Sequence, residues 1–179
     1  MDDTTTSTTD EVEALARLRE IVSAIRIAMI TTESGDGSMQ SRPMYLQEVE
    51  RNGDLWFATS GDSSLVEQVR DDTRVTATFA NPSDHLFAVV RGRATLHHDL
   101  AKVQALWNPA MKAWFPGGPA DPAITLVCVR GEHGDYWDAP GGPGRLVRYV
   151  AALVTGTRAD GGERVHIALD PSASPRTTP

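Results

Sequence analysis

The sequence predicts a mainly β (α+β) domain: a six-stranded antiparallel β-barrel with flanking helices. Three observations predict it. Six stretches alternate apolar and polar residues or are rich in β-forming residues. Short Gly, Asn, Asp and Ser turns separate most of them. Only one clear helix, at 64–71, interrupts the run, whereas a doubly wound parallel sheet needs a helix between most strands.

Residues 1–9 are rich in Thr and Asp and are expected to be a disordered tail. Asp10 and Glu13 can cap the next segment, in which Val12, Leu15, Leu18, Ile21, Val22 and Ile25 share one face of a helix. Strands are expected at 27–32, 39–49 and 55–59. Asn52-Gly53 supplies a hairpin signal before the third, so the three read as a meander. Pro43 cannot donate to a ladder, so the second strand must have an edge or a bulge there.

The stretch at 55–80, LWFATSGDSSLVEQVRDDTRVTATFA, organises the rest. It reads strand, Ser/Gly turn, short helix, strand. Ser64-x-x-Glu67 has the spacing of a capping box. A long strand follows at 86–98, where Gly92 marks a bulge or a close backbone approach. Asp99 can cap a helix running to Leu106. Pro109 is expected to interrupt a helical or turn segment at 107–115. Strands follow at 124–130 and, after a break, at 134–138. Residues 140–144 form a joint, and 145–154 have helical spacing. The expected division is a tail at 1–9, a domain at 10–158 with a C-terminal helix, and a polar tail at 159–179.

The totals exclude several classes. The chain has 179 residues, 40% of them apolar, which is enough for one core. Net charge is −7 and the pI near 5.1, against nonspecific nucleic-acid binding. No apolar run is long enough to span a membrane, and the acidic, polar first residues are not a secretory signal. The one cysteine, Cys128, lies in an apolar run and reads as a buried, inert thiol, so the cytoplasm is the expected compartment. The five histidines are scattered, and the His97-His98 pair points to opposite faces of a strand, so no metal site is expected.

The chemistry-bearing candidates each carry two readings. Ser60, Ser63 and Ser64, with Thr59, offer hydroxyls and helix-start N–H groups, which suit an anion; they equally suit a capped strand–helix connection. Arg42, in Arg42-Pro43-Met44, can pair with a phosphate or hold a surface salt bridge. Trp107, Trp114 and Trp137 can wall a planar ligand or subunit interface, or fill core. There is no nucleophile elbow and no paired-carboxylate motif, so any chemistry falls to a bound cofactor, and no catalytic residue is named.

The order SRPM, LWFATSGDSS, RVTATFA, VVRGRATL, LWNPAMKAWFPGG and DYWD resembles the pyridoxamine-phosphate-oxidase-like FMN-binding split barrels, in their general stress protein 26 branch. The resemblance runs from about Val12 to Trp137. It implies a six-stranded split barrel, a homodimer and FMN at the dimer interface, in a stress-related flavin oxidoreductase. The alternatives are a flavin-binding sensor without turnover, or a split-barrel dimer with weakened or altered cofactor binding. Carried over by motif, Arg42, Pro43 and Met44 line the flavin and ribityl side. Thr59 and Ser60 contact ribityl or ring atoms, and Ser63 and Ser64 face the phosphate with help from Lys112. Trp114, Phe115 and Trp137 are aromatic walls reaching the partner's flavin. Many relatives carry a basic residue where this chain has Leu65, and some carry an arginine at Ser64, so FMN binding is expected to be weakened.

Overall fold

The computed structural model describes residues 8–138 and 163–169. Its elements are α1 (Thr8–Ile25), β1 (Ile27–Glu33), β2 (Met39–Val49), β3 (Leu55–Ser60), α2 (Ser64–Asp71), β4 (Arg74–Asn81) and β5 (Leu86–His97). They continue with α3 (Leu100–Leu106), α4 (Pro109–Trp114), β6 (Ile124–Asp138) and β7 (Glu163–Ala168). The expected helix at 145–154 and joint at 140–144 lie outside the described residues, as do 1–7 and 170–179. No helix among the described residues is long and apolar enough to cross a membrane.

All pairings are antiparallel, in the order β3-β2-β1-β4-β5-β6-β7. β3 also pairs with β6, from Leu55↔Val129 to Ser60↔Ile124. That pairing closes six strands into a barrel, so the expected architecture is present. Alternation places Ala28, Ile30, Phe57, Ala77, Phe79, Ala88, Val90 and Val129 inside, all 1% exposed or less. Leu18, Ile21 and Val22 of α1 pack onto the same core. A smaller cluster, Val103, Met111, Phe115, Ile124 and Leu126, lies beneath α3 and α4.

Local chemistry explains most boundaries. Asp99 accepts from the N–H groups of Ala101 and Lys102 and starts α3. Asn108 does the same for Ala110 and Met111, so Pro109 starts α4 instead of interrupting it. The cap of α2 is Ser63, which accepts from Val66 N–H, one residue before the expected Ser64. Pro43 lies where β2 runs beyond the end of β3; it pairs with Met29 of β1 only, a local edge.

Two features depart from expectation. The break expected near 131–133 is a bulge inside one long strand: Arg91 faces His133 but Gly92 faces Gly131, which leaves Glu132 extra on β6. β7 lies in the stretch expected to be a polar tail. It pairs with β6 from His133↔Ala168 to Asp138↔Glu163 and sends Ile167 and, just beyond it, Leu169 into the core. Leu169 seats over Gly131 and Gly134, where an added Cβ would stand 2.5 Å from a Leu169 methyl and 2.7 Å from one of Leu18.

Asp135, 2% exposed, ties β7 to the barrel. Its carboxylate accepts from Arg91, from Arg164 at 2.8 and 3.0 Å and from His166 at 2.9 Å. Burial alone would raise its pKa, but these bonds and the two guanidinium charges outweigh burial and hold it below the ordinary carboxylate value of 3.8. A lowered pKa contributes stability above that value, and the contribution disappears as pH falls through the lowered one. The urea midpoint is expected to fall as pH drops below 3.8, with a smaller fall in Asp135→Asn.

Candidate functional site

The site is built where β1 and β2 meet α2. Along β1 the inward positions are Ala28, Ile30 and Thr32, so Thr32 ends an apolar row with a hydroxyl, 1% exposed. Arg42 lies opposite Ile30 on β2 and is half-buried. On α2 the inward face carries Leu65, Val66 and Val69, with Gln68 among them at 8% exposure. The three polar side chains converge. Arg42 Nη1 donates to Thr32 Oγ1 at 2.5 Å, and Nη2 donates to Gln68 Oε1 at 2.7 Å. Thr32 Oγ1 donates to the same Gln68 oxygen at 2.6 Å. Gln68 Nε2 donates outward, to Gln40 Oε1 at 2.8 Å and Ser34 Oγ at 2.9 Å.

Among the described residues, the acceptors around this guanidinium are Thr32, Gln68 and, at 3.3 Å, Gln40, all neutral. Other arginines of the chain meet carboxylates: Arg74 meets Asp72 and Glu33, Arg91 and Arg164 meet Asp135, and Arg93 meets Glu132. Among the described residues Arg42 has no carboxylate within ion-pairing distance. Burial pushes its pKa down, yet an arginine stays charged at any physiological pH. The alternative reading of Arg42 as half of a surface salt bridge therefore has no support among the described residues.

One helical turn before Gln68, α2 begins. Thr59 Oγ1 donates to Ser63 Oγ at 3.1 Å, which holds the cap beside the end of β3. Gly61 N–H donates to Ala123 O at 2.8 Å, so the loop lies on the start of β6. A Cβ on Gly61 would come 3.1 Å from Thr125 Oγ1. That hydroxyl is buried at the loop and has no hydrogen-bond partner among the described residues. Ser64 is exposed, whereas Leu65 is 2% exposed within the core. The residue expected to mark a missing phosphate contact is thus a core side chain, and the outward position at this helix start is Ser64.

The remaining expected residues separate into three places. Pro43 is exposed on the outward face of β2, and Met44 packs against the barrel core. On α4, Lys112 is exposed and Trp114 is 81% exposed, while Phe115 at 8% is packed with Met111 and Leu126. Trp137 lies 12 residues beyond Thr125 on β6, roughly 40 Å along a curving strand. One chain therefore does not bring Trp137 to Thr59 and Ser60. Between the outer face of β2 and α3–α4 runs a groove of ≈ 650 Å³, with Tyr45, Gln47, Trp107 and Asn108 among its walls. That volume suits a small molecule.

No cluster of metal-binding side chains occurs among the described residues. Burial pushes the Cys128 thiol up to about 12, so it stays protonated and is no nucleophile.

A family model described as pyridoxamine 5'-phosphate oxidase like matches residues 13–160. The chain belongs to that family. Protein bli-3 of Neurospora crassa is 31% identical over 123 residues, which is 63% of this chain and 59% of that protein; the chain thus spans less than two thirds of its curated relative. The general stress FMN/FAD binding protein of Xanthomonas citri is 28% identical, with a TM-score of 0.62 over 76% of this chain and 93% of that one. A Jannaschia sp. CCS1 protein assigned to general stress protein 26 reaches a TM-score of 0.72 over 87% and 99%; at 22% identity it shows the shared fold alone.

In this member of the pyridoxamine 5'-phosphate oxidase like family, Thr32, Gln68 and Thr125 are residues of the candidate site that the sequence reading did not name. Two had a signal. Thr32 continues the inward parity of Ala28 and Ile30, and Gln68 sits at core spacing between Leu65 and Val69. A polar residue at a core position needs a partner. Thr125 sits in an apolar run without such a mark.

Proposed function

We propose that this chain binds FMN and works as a flavin oxidoreductase on a small molecule, as a homodimer. The observation that carries the reading is Arg42, a half-buried cation that no described carboxylate neutralises. Two further features fit a phosphate. The cap of α2 presents helix-start N–H groups with the hydroxyls of Ser63 and Ser64, and the orphaned Thr125 hydroxyl lies against Gly61 in the same loop. Arg42, Ser63 and Ser64 would hold the phosphate. Thr59, Ser60 and the Pro43–Met44 backbone would line the ribityl chain and ring. When bound, the flavin supplies hydride exchange at N5. The chain's own part is to bind, orient and exclude water. We place this chemistry in the cytoplasm, where a lone buried thiol stays reduced.

The dimer reading rests on the outer face of the sheet. Across the strands, Tyr45 pairs with Ile27, and Ala80 with Phe87 and on to Trp137, beside the row Pro43, Met29, Thr78 and Val89. Ile27 is 56% and Met29 42% exposed. A second copy on this face would cover a row that water otherwise meets, and could bring Trp137 to the partner's flavin. Ile27→Glu is expected to convert the dimer to monomer at micromolar concentration by light scattering, and to lower flavin affinity with it.

FMN titration followed by flavin fluorescence tests the main reading. Saturable binding is expected; a folded protein that leaves the fluorescence unchanged would overturn it. With no lysine or arginine at 64 or 65, affinity is expected to be modest. Ser64→Arg, on the exposed position, should raise it by about tenfold, one charge-assisted bond. Leu65→Lys should instead lower the melting temperature, because its ammonium would replace a core methyl pair.

A further inference from the structure

We propose that Gln68 is a positioning residue for phosphate recognition, holding Arg42 through a neutral oxygen so that the guanidinium keeps a full charge for the ligand. This rests on the FMN reading above and extends it to a residue that does not touch the flavin.

The hydrogen bonds admit one arrangement. A guanidinium only donates, so the Gln68 atom facing Arg42 must be its carbonyl oxygen. That oxygen receives Arg42 at 2.7 Å and Thr32 at 2.6 Å, which uses both of its lone pairs. The amide nitrogen is then directed away, and its two hydrogens go to Gln40 and Ser34. Each polar atom of the buried carboxamide is satisfied, so the rotamer is locked. Thr32 completes the lock: its hydroxyl accepts from Arg42 Nη1 and passes its own hydrogen to Gln68.

The choice of a carboxamide has an electrostatic consequence. A glutamate would fit the same space and accept the same two bonds. It would also form an ion pair at the same distance and cancel the charge that a phosphate must meet. Glutamine orients without neutralising. Its place on α2, four residues after Ser64, also couples the arginine's position to that helix.

The test compares FMN with riboflavin, which lacks only the phosphate. Dissociation constants for both are measured in wild type, Arg42→Ala, Gln68→Met, Gln68→Glu and Thr32→Val, with a melting curve for each. In wild type, FMN should bind at least about tenfold tighter than riboflavin, and Arg42→Ala should remove that preference. Those two proteins test the FMN reading alone. Gln68→Met and Gln68→Glu should each cut the FMN preference about tenfold or more while riboflavin affinity holds. Thr32→Val should give a smaller cut in the same direction.

A purely structural Gln68 would lower both affinities together, or only the melting temperature, and leave the ratio unchanged. That outcome, with Arg42→Ala still abolishing the preference, overturns this inference and leaves the FMN reading standing. Should Gln68→Met fail to fold, the nearly isosteric Gln68→Glu decides. An FMN preference retained there overturns the proposal.

Discussion

Arg42→Ala is expected to weaken FMN binding by about ten- to a hundredfold and to leave riboflavin binding essentially unchanged, because charge-assisted hydrogen bonds contribute about 1.5–3 kcal/mol. The selectivity follows from geometry. Arg42 enters the site from β2 with its guanidinium against Thr32 and Gln68, and all its described acceptors are neutral. Removing it deletes a cation that the described part of the fold does not otherwise use in an ion pair. The folded state loses two short hydrogen bonds but gains no buried uncompensated charge, so the melting temperature should fall only modestly. Fluorescence titration with both flavins checks this. Equal loss for FMN and riboflavin would mean that Arg42 shapes the pocket and does not meet the phosphate. Raising the salt concentration should weaken FMN binding to wild type and have less effect on the variant.

Gly92→Ala is expected to be the most damaging small substitution in the barrel, at about 3 kcal/mol or more. A Cβ built on Gly92 would lie 1.8 Å from the carbonyl oxygen of Arg130 and 2.8 Å from its carbonyl carbon. Both are backbone atoms of the neighbouring strand, so no rotamer change relieves the clash. The strand must move, and it is already committed on both sides: β6 pairs with β5 over its length and with β3 and β7 on its other edge. Disrupting the bulge at Gly92–Gly131 disturbs both barrel closure and the seat of Leu169. A melting-temperature drop of roughly 6–12 °C is the readout for a chain of this size. A drop under about 2 °C would show that the bulge can slip register without cost.

The sequence carried the parts of this molecule that depend on near neighbours. Alternation in 27–32, 39–49, 55–59 and 74–80 placed the strands within a residue of their ends, because a sheet with one buried face must repeat every two residues. Ser63–Ser64, Asp99 and Asn52-Gly53 punctuated the elements through bonds spanning two to four residues. Gly92 announced a bulge or close backbone approach, since a glycine inside a strand often marks one. The ordered motifs likewise pointed to the family, which the match over residues 13–160 shows.

Tertiary structure decided the rest. Leu65 read as the place of a missing phosphate contact because relatives of the resembled family carry a basic residue there; only packing of α2 onto the barrel shows that it faces inward. β7 read as tail because six residues with three charged or polar side chains carry no strong signal alone. It becomes a strand because β6 offers an open edge and Asp135 anchors Arg164 and His166. Trp137 and Ser60 were both expected near a flavin, and within one chain they meet β6 far apart: Ser60 pairs with Ile124 at its start, and Trp137 lies near its end. Arg42 shows the division most clearly. Its identity and strand were plain from the sequence, but the two neutral partners that hold it most closely, Thr32 and Gln68, come from 10 and 26 residues away. Sequence by itself determined fold class, strand parity and caps, because these arise from local sterics and short-range hydrogen bonds. Whether a charge is paired, a hydroxyl orphaned or a leucine buried depends on which distant strands meet, and barrel closure alone settles that.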